Sequence, residues 1–455
     1  MANSKSMIRD LTEGNVTKQL LRFAYPFMLA NLLQTIYNIV DMIVIGQFVG
    51  RTALAAVSCG GDLSSMFLYV AVGFTGASQV LIGQYVGAGD REGVRKSVGT
   101  TFTFCFILGV AVTIFCIFAS PALLHLINTP PEAFEQARVY TLTYLSGFLF
   151  VLGYNAVAAI LRGVGDSKHP LLFVIIAAIS NLVLDLLFVA VFKWDAFGAA
   201  LATLLGFAIS FVCSIVYLYI KRENFGFDFK LASFKIDGKI LKAMVRLGIP
   251  LAIQHAAIMV SMLFISARVN SYGDVATSVT GVGNKLRSIM SIISNAISTA
   301  GSAMAAQNLG AGKPERVKKI VRTSLLLCVV VATGLSAVYL LFPKEMFSLF
   351  TTDAEYLAMV PDYAPVLVLY VFSFAFMFTF NIVINGVGDV PMSYLVGIMD
   401  GVVARIGVAI LLAVAFNMGI YGYWYGSAGA GFVAALIGCI YYFSGKWKSH
   451  RLLID

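Results

Sequence analysis

"GQYVGAGDREGVRKSVGTT", residues 83–101, returns as "AQNLGAGKPERVKKIVRTS" at residues 306–324, identical in nine of nineteen places at an offset of 223. Two further landmarks keep the spacing. "GVGD" at 163–166 recurs at 386–389, and "LLRFAYPFM", with Arg22 and Pro26, has a counterpart 224 positions on in "MVRLGIPLA", with Arg246 and Pro250. Self-similarity at a fixed offset marks an internal duplication. The halves are 1–222 and 240–455, and the charged stretch 223–239 between them is expected to be a cytoplasmic linker.

What was duplicated is a membrane bundle. Hydrophobic residues make up 59% of the 455 positions and charged residues 12%, against roughly 25% charged in a soluble domain; mean hydropathy is +0.86. Apolar runs long enough to cross a bilayer fall near 19–48, 54–83, 97–120, 137–161, 170–192 and 198–220, then 243–270, 275–306, 321–342, 361–386, 391–416 and 420–444. The expectation is an all-α membrane protein of twelve transmembrane helices in two pseudo-symmetric six-helix bundles. With six spans per half, both halves enter from the same side, an arrangement of parallel repeats found in transporters, with the substrate path between bundles.

The net charge of +9 does not signal nucleic acid, because the basic residues do not form a face. With the N-terminus placed in the cytoplasm, inner segments hold 24 Lys plus Arg, and outer loops hold four: Arg51, Arg138, Lys193 and Lys344. That bias sets both span count and orientation by the positive-inside rule, so a multi-pass membrane protein with both termini cytoplasmic is expected. The polar start "MANSKSMIRDLTEGNVTKQ" has no signal-peptide pattern. All six cysteines lie in apolar spans without metal or redox spacing and read as packing residues.

Enzyme motifs fail on inspection. "NLGAGKPE" has Pro314 where a phosphate-binding loop needs Ser or Thr after Gly-Lys, and its twin "YVGAGDRE" lacks the lysine; both read as glycine-rich turns opening cytoplasmic helices. "GVGD" reads as a helix end and turn. No nucleophile or metal constellation is found, so no enzyme and no cofactor is expected, and without a nucleotide site the energy source should be an ion gradient.

One polar stripe breaks the apolar pattern. Asn31, Gln34, Tyr37, Asn38 and Asp41 follow at steps of three or four on the first span and line one helix face. A carboxylate in mid-membrane costs about 2.5–3.5 kcal/mol on insertion scales, so such a stripe must face water or protein. Asn181 and Asp185 share a face of the fifth span, and Thr203 lies early in the sixth. Rise per residue places Asp41 about 28 Å and Asp185 about 22 Å from the cytoplasmic edge, and Thr203 about 8 Å from the outer one. Two carboxylates, an amide and a hydroxyl at one level suit a proton or a small hard cation such as Na⁺. At the repeat offsets stand Ile265, Ala404, Val408 and Gly426, none of them polar. A cluster needed only for folding would have left a trace in its twin.

On Pro26, "YNIVD" ending at Asp41, the paired GAG loops, the paired "GVGD" and "SNLVLD" with Asn181 and Asp185, the chain resembles the multidrug and toxic compound extrusion (MATE) family over essentially its whole length, and most its DinF-like bacterial branch. The resemblance implies two six-helix lobes around a central V-shaped cleft and export of amphipathic, often cationic compounds in exchange for H⁺ or Na⁺. It also implies a cation site at Asp41, Asn181, Asp185 and Thr203 and a bend at Pro26. The NorM-type branch places carboxylates on spans seven and ten, where this sequence has none.

Four cationic residues remain outside the loops: Arg268, Lys285, Arg287 and Arg405. Lys285 occupies the repeat position of Asp62, which makes the two candidates for a cleft-closing pair. Asp400 and Arg405 are cleft candidates as well; five residues apart, they stand about 140° apart on an α-helix and are not expected to pair. Small organic substrates and lipid are the expected partners, with no nucleic acid and a monomeric state. The competing reading is a flippase for a lipid-linked or anionic precursor on a related architecture, which the cations at 285, 287 and 405 would suit.

Overall fold

Proline-bearing helices open both halves, and the rest of each half follows the same order. The computed structural model describes residues 8–127, 129–351 and 353–454; the first seven residues of the basic N-terminal segment, and positions 128, 352 and 455, lie outside the described residues. Twelve spans are α1 Val16–Phe48, α2 Thr52–Gly87, α3 Arg91–Leu126, α4 Pro131–Ser146 plus Phe148–Gly163, α5 Lys168–Val191, α6 Asp195–Ile220, α7 Gly238–Asn270, α8 Asp274–Gly310, α9 Pro314–Leu341, α10 Ala354–Val387, α11 Val390–Ala415 and α12 Ile420–Ser444. No strand occurs among the described residues.

The duplication is visible in the turns. Gly50 and Gly273 precede the second helix of their halves at φ 106° and 101°, Gly89 and Gly312 follow it at 73° and 67°, and Gly165 and Gly388 close "GVGD" at 87° and 77°. Each pair is 223 residues apart, and side chains other than glycine rarely adopt such angles. The "GVGD" aspartates then start the next helices: Asp166 accepts from the Lys168 amide at 3.0 Å, and Asp389 accepts from the Met392 amide at 3.0 Å and the Tyr441 hydroxyl at 2.7 Å.

Departures from regular helix have local causes. The fourth span, expected to run unbroken over 137–161, is bent by 49° at Gly147. Ser146-Gly147 is a pair that commonly hosts kinks, and a Cβ at Gly147 would stand 2.3 Å from Leu204 Cγ, so α6 presses against the bend. The fifth helix of each half ends in π-helix, over Leu186–Val191 in α5 and over Met399–Val408 and Leu411–Ala415 in α11. Amide-to-carbonyl bonds then span five residues, as from Phe192 N to Leu187 O and from Phe416 N to Leu411 O.

The chain forms two compact units that divide differently from the sequence repeat. The first is Leu29–Gly248 with the stretch ending at Asp10; the second is Leu11–Met28 with Ile249–Leu453. Each has its own apolar core. Helices inside a bilayer gain little from apolar burial and depend on close packing of small residues; in the second unit a Cβ at Gly386 would stand 2.7 Å from Ala305 Cβ, so α8 and α10 approach closely there. The boundaries inside α1 and α7 fall at Met28/Leu29 and Gly248/Ile249, within two residues of Pro26 and Pro250.

Both copies of the glycine-rich motif are clamps. In the second unit, Gln307 Oε1 accepts from the Leu11 amide at 3.1 Å, Asn308 Nδ2 donates to Leu11 O at 3.1 Å, and Arg316 Nη1 donates to Gly14 O at 3.0 Å. Those contacts hold the segment leading into α1. In the first unit, Thr100 Oγ1 accepts from the Asp237 amide at 3.0 Å and Thr103 Oγ1 donates to Phe234 O, which holds the segment leading into α7. The stretch expected to be a linker is therefore folded onto the first unit. Its Phe225 and Phe227 are buried, and Gly99 is bare because Ser233 O would lie 1.9 Å from a Cβ there.

Candidate cation-binding site

α1, α4, α5 and α6 of the first unit bring one polar cluster together. α5 packs against α6, and a Cβ at Gly206 would stand 3.1 Å from Asn181 Cβ, so this glycine sets how closely Asn181 approaches α6. Asn181 Nδ2 donates to Thr203 Oγ1 at 3.4 Å, and Thr203 Oγ1 donates to Ala199 O at 3.0 Å. Asp185, one turn beyond Asn181 and at the junction with the π-helical segment, is 1% exposed, and Asn181 is 3% exposed. The Asp41 and Asp185 carboxyl groups lie within hydrogen-bonding reach of each other, with the Asn181 amide beside Asp185.

The polar accounting does not close. Asp41 Oδ1, Asn181 Oδ1 and both carboxylate oxygens of Asp185 are buried without a hydrogen-bond donor. Buried acceptors are normally satisfied, and two adjacent buried carboxylates disfavour being charged together. A proton shared by the carboxyl groups, or a hard cation held by these oxygens, would satisfy them. The donors are all oxygen, a set that suits H⁺ or Na⁺ better than a soft metal.

Tyrosines complete the cluster. Tyr37, on the α1 stripe, neighbours Asp41, Gln34 and Tyr144. Tyr140 of α4 approaches Asp41, Asp185 and Thr203, and no sequence pattern singles it out. Its repeat partner is Tyr363, so a search for residues lost from the twin passes over it. A Cβ at Gly60 would stand 2.7 Å from Tyr140 Cδ1. Gly60→Ala is therefore expected to push Tyr140 off the cluster at a cost of about 1–3 kcal/mol, seen as a lowered melting temperature in a thermal-shift assay.

The twin position in the second unit is filled by packing. Ile265 and Ala404 are buried, and a Cβ at Gly426 would stand 2.4 Å from Ala409 Cα, so α12 lies backbone to backbone on α11.

The other candidate residues are dispersed. Asn31 and Gln34 are half-buried and Asn38 is exposed on α1, while Pro26 is buried in the part of α1 that belongs to the second unit. Asp62 is exposed on α2; Lys285 is exposed on α8 with its ammonium 5.6 Å from the Phe350 ring centre. Asp400 and Arg405 overturn the expectation that they do not pair: Arg405 Nη2 lies 2.9 Å from Asp400 Oδ1. The cause is the π-helical stretch Met399–Val408, whose wider turn sets residues five apart over one another. Their side chains are 0% and 3% exposed, so neither reaches a surface.

Twelve apolar spans in two repeated halves, with adjacent buried carboxylates in the first, are the layout of a polytopic membrane protein. The MatE family model matches residues 26–187 and again 250–411, the same duplication at an offset of 224. A probable multidrug resistance protein of Bacillus subtilis, YpnP, is 29% identical over 98% of this chain and 99% of its own. A second from that organism, YoeA, is 28% identical over 97% and 96%. Among solved structures, an outward-facing multidrug resistance MATE family transporter superposes with a TM-score of 0.89 at 23% identity, covering 97% of this chain and 98% of that one. The chain belongs to the MatE family of multidrug efflux transporters, which are not enzymes.

Proposed function

We propose that the protein is an antiporter of the bacterial inner membrane, both termini cytoplasmic, that exports amphipathic, often cationic organic compounds in exchange for H⁺ or Na⁺. The observation that carries this reading is the set of four buried, donorless oxygens at Asp41, Asn181 and Asp185. Empty, the cluster holds adjacent negative charges in a medium of low polarity; each H⁺ or Na⁺ taken up removes one of them. Asp41 and Pro26 lie on one helix, and Pro26 removes the backbone bond that the Arg22 carbonyl would otherwise accept. Loading is thus converted into a change in the shape of α1, and cytoplasmic substrate competes with the ion. Such coupling requires ion and substrate to prefer different states, since tight binding alone shifts nothing.

The test is transport in liposomes with proton and sodium gradients imposed separately. Ethidium movement driven by one gradient and abolished by its collapse is the expected result; movement indifferent to both would end the proposal. The kinship with multidrug resistance proteins favours efflux over the flippase reading. Accumulation of a lipid-linked intermediate in a deletion strain would reverse that preference.

A further inference from the structure

Arg287 of α8 is a half-buried guanidinium with no acid partner. Among the described residues no carboxylate comes within ion-pair distance; Nε donates to Asn284 Oδ1 at 2.8 Å, and Nη2 faces Met262 Sδ, a weak acceptor, at 3.5 Å. The group lies over the Tyr370 ring, 4.7 Å from its centre, with Phe374 at 5.9 Å. Tyr370 is itself fixed, because its hydroxyl donates to Ser427 Oγ at 2.7 Å. Asp400, a fully buried acid of the second unit, is already paired with Arg405. A guanidinium has five N–H donors in a planar fork, and two are engaged here. A cation in a membrane bundle that is positioned by an aromatic face yet left unneutralised marks a ligand path, and the free edge of such a fork matches a carboxylate.

We propose that Arg287 binds the carboxylate of zwitterionic amphiphiles, with Tyr370 and Phe374 packing on their aromatic bodies. The inference rests on the efflux reading only in taking the ligand to be a transported compound. The chemistry is the reverse of the first unit's, where two acids lie side by side.

The experiment compares a rhodamine bearing a free carboxylate with its methyl ester, by fluorescence anisotropy on the purified full-length protein. In the wild type both dyes bind. Arg287→Met weakens the acid about tenfold, the value of one charge-assisted hydrogen bond, and leaves the ester unchanged; Arg287→Lys, which keeps the charge, recovers part of the loss. Equal weakening of acid and ester, or a wild-type protein that takes the ester but not the acid, overturns the assignment. Liposome transport indifferent to both gradients would sink the antiport reading while leaving this binding comparison intact.

Discussion

Asp41→Asn is expected to reduce gradient-driven ethidium efflux to the level of vesicles without the protein, while expression and melting temperature stay at or above wild type. Both halves of that outcome follow from one cause. The amide is nearly the same size as the carboxyl group but cannot be charged, so the repulsion against Asp185 disappears and the fold gains. Transport loses what it needs, a group whose charge depends on the ion. An unpaired buried charge is worth about 3–5 kcal/mol, close to the roughly 5.5 kcal/mol that carries a two-state equilibrium from 1:99 to 99:1. Without it the ion has little with which to move the protein. Parallel efflux assays in everted vesicles and thermal-shift measurements decide the matter; a mutant that transports normally, or one that loses transport only because it unfolds, would show that the cluster is structural.

Asp400→Ala is expected to destabilise the second unit by about 3–5 kcal/mol, because it strands the Arg405 guanidinium among apolar helices. Arg405 Nη1 already reaches only the Ser427 carbonyl, at 3.4 Å, and Nε has no acceptor. The double replacement Asp400→Leu with Arg405→Met removes both charges and should regain most of the loss. The fraction of monodisperse protein left after a heat step reads both variants. A single mutant as heat-resistant as wild type would mean that the pair contributes nothing to the fold.

The apolar runs, the offset of 223 and the loop charges made the twelve spans, their pairing and an expected orientation readable before any coordinate. Asp41, Asn181, Asp185 and Thr203 could be grouped by helix face and depth, with the apolar residues at the offset setting them apart, and the first unit brings them together. The same comparison could not find Tyr140, whose counterpart Tyr363 kept the same residue type in another setting. Helical-wheel geometry failed for Asp400 and Arg405 because it assumes 100° per residue, and no simple signal in "MDGVVARIGV" announces the wider π turn. Gly147 in mid-span gave no warning of a 49° bend, since glycine is common in membrane helices and the deciding contact comes from Leu204, far along the chain. The compact units also escaped the sequence, because duplication records ancestry whereas packing records which body a helix end leans on.

That exchange of helix ends bears on mechanics. Loops are where a chain ordinarily absorbs strain, yet the lead-ins to α1 and α7 are tied down by the two glycine-rich motifs. Compliance is left to the helices themselves, and each has one missing rung, opposite Pro26 or Pro250. Duplication thereby left the molecule with a matched pair of proline-interrupted helices, of which only α1 also carries a carboxylate.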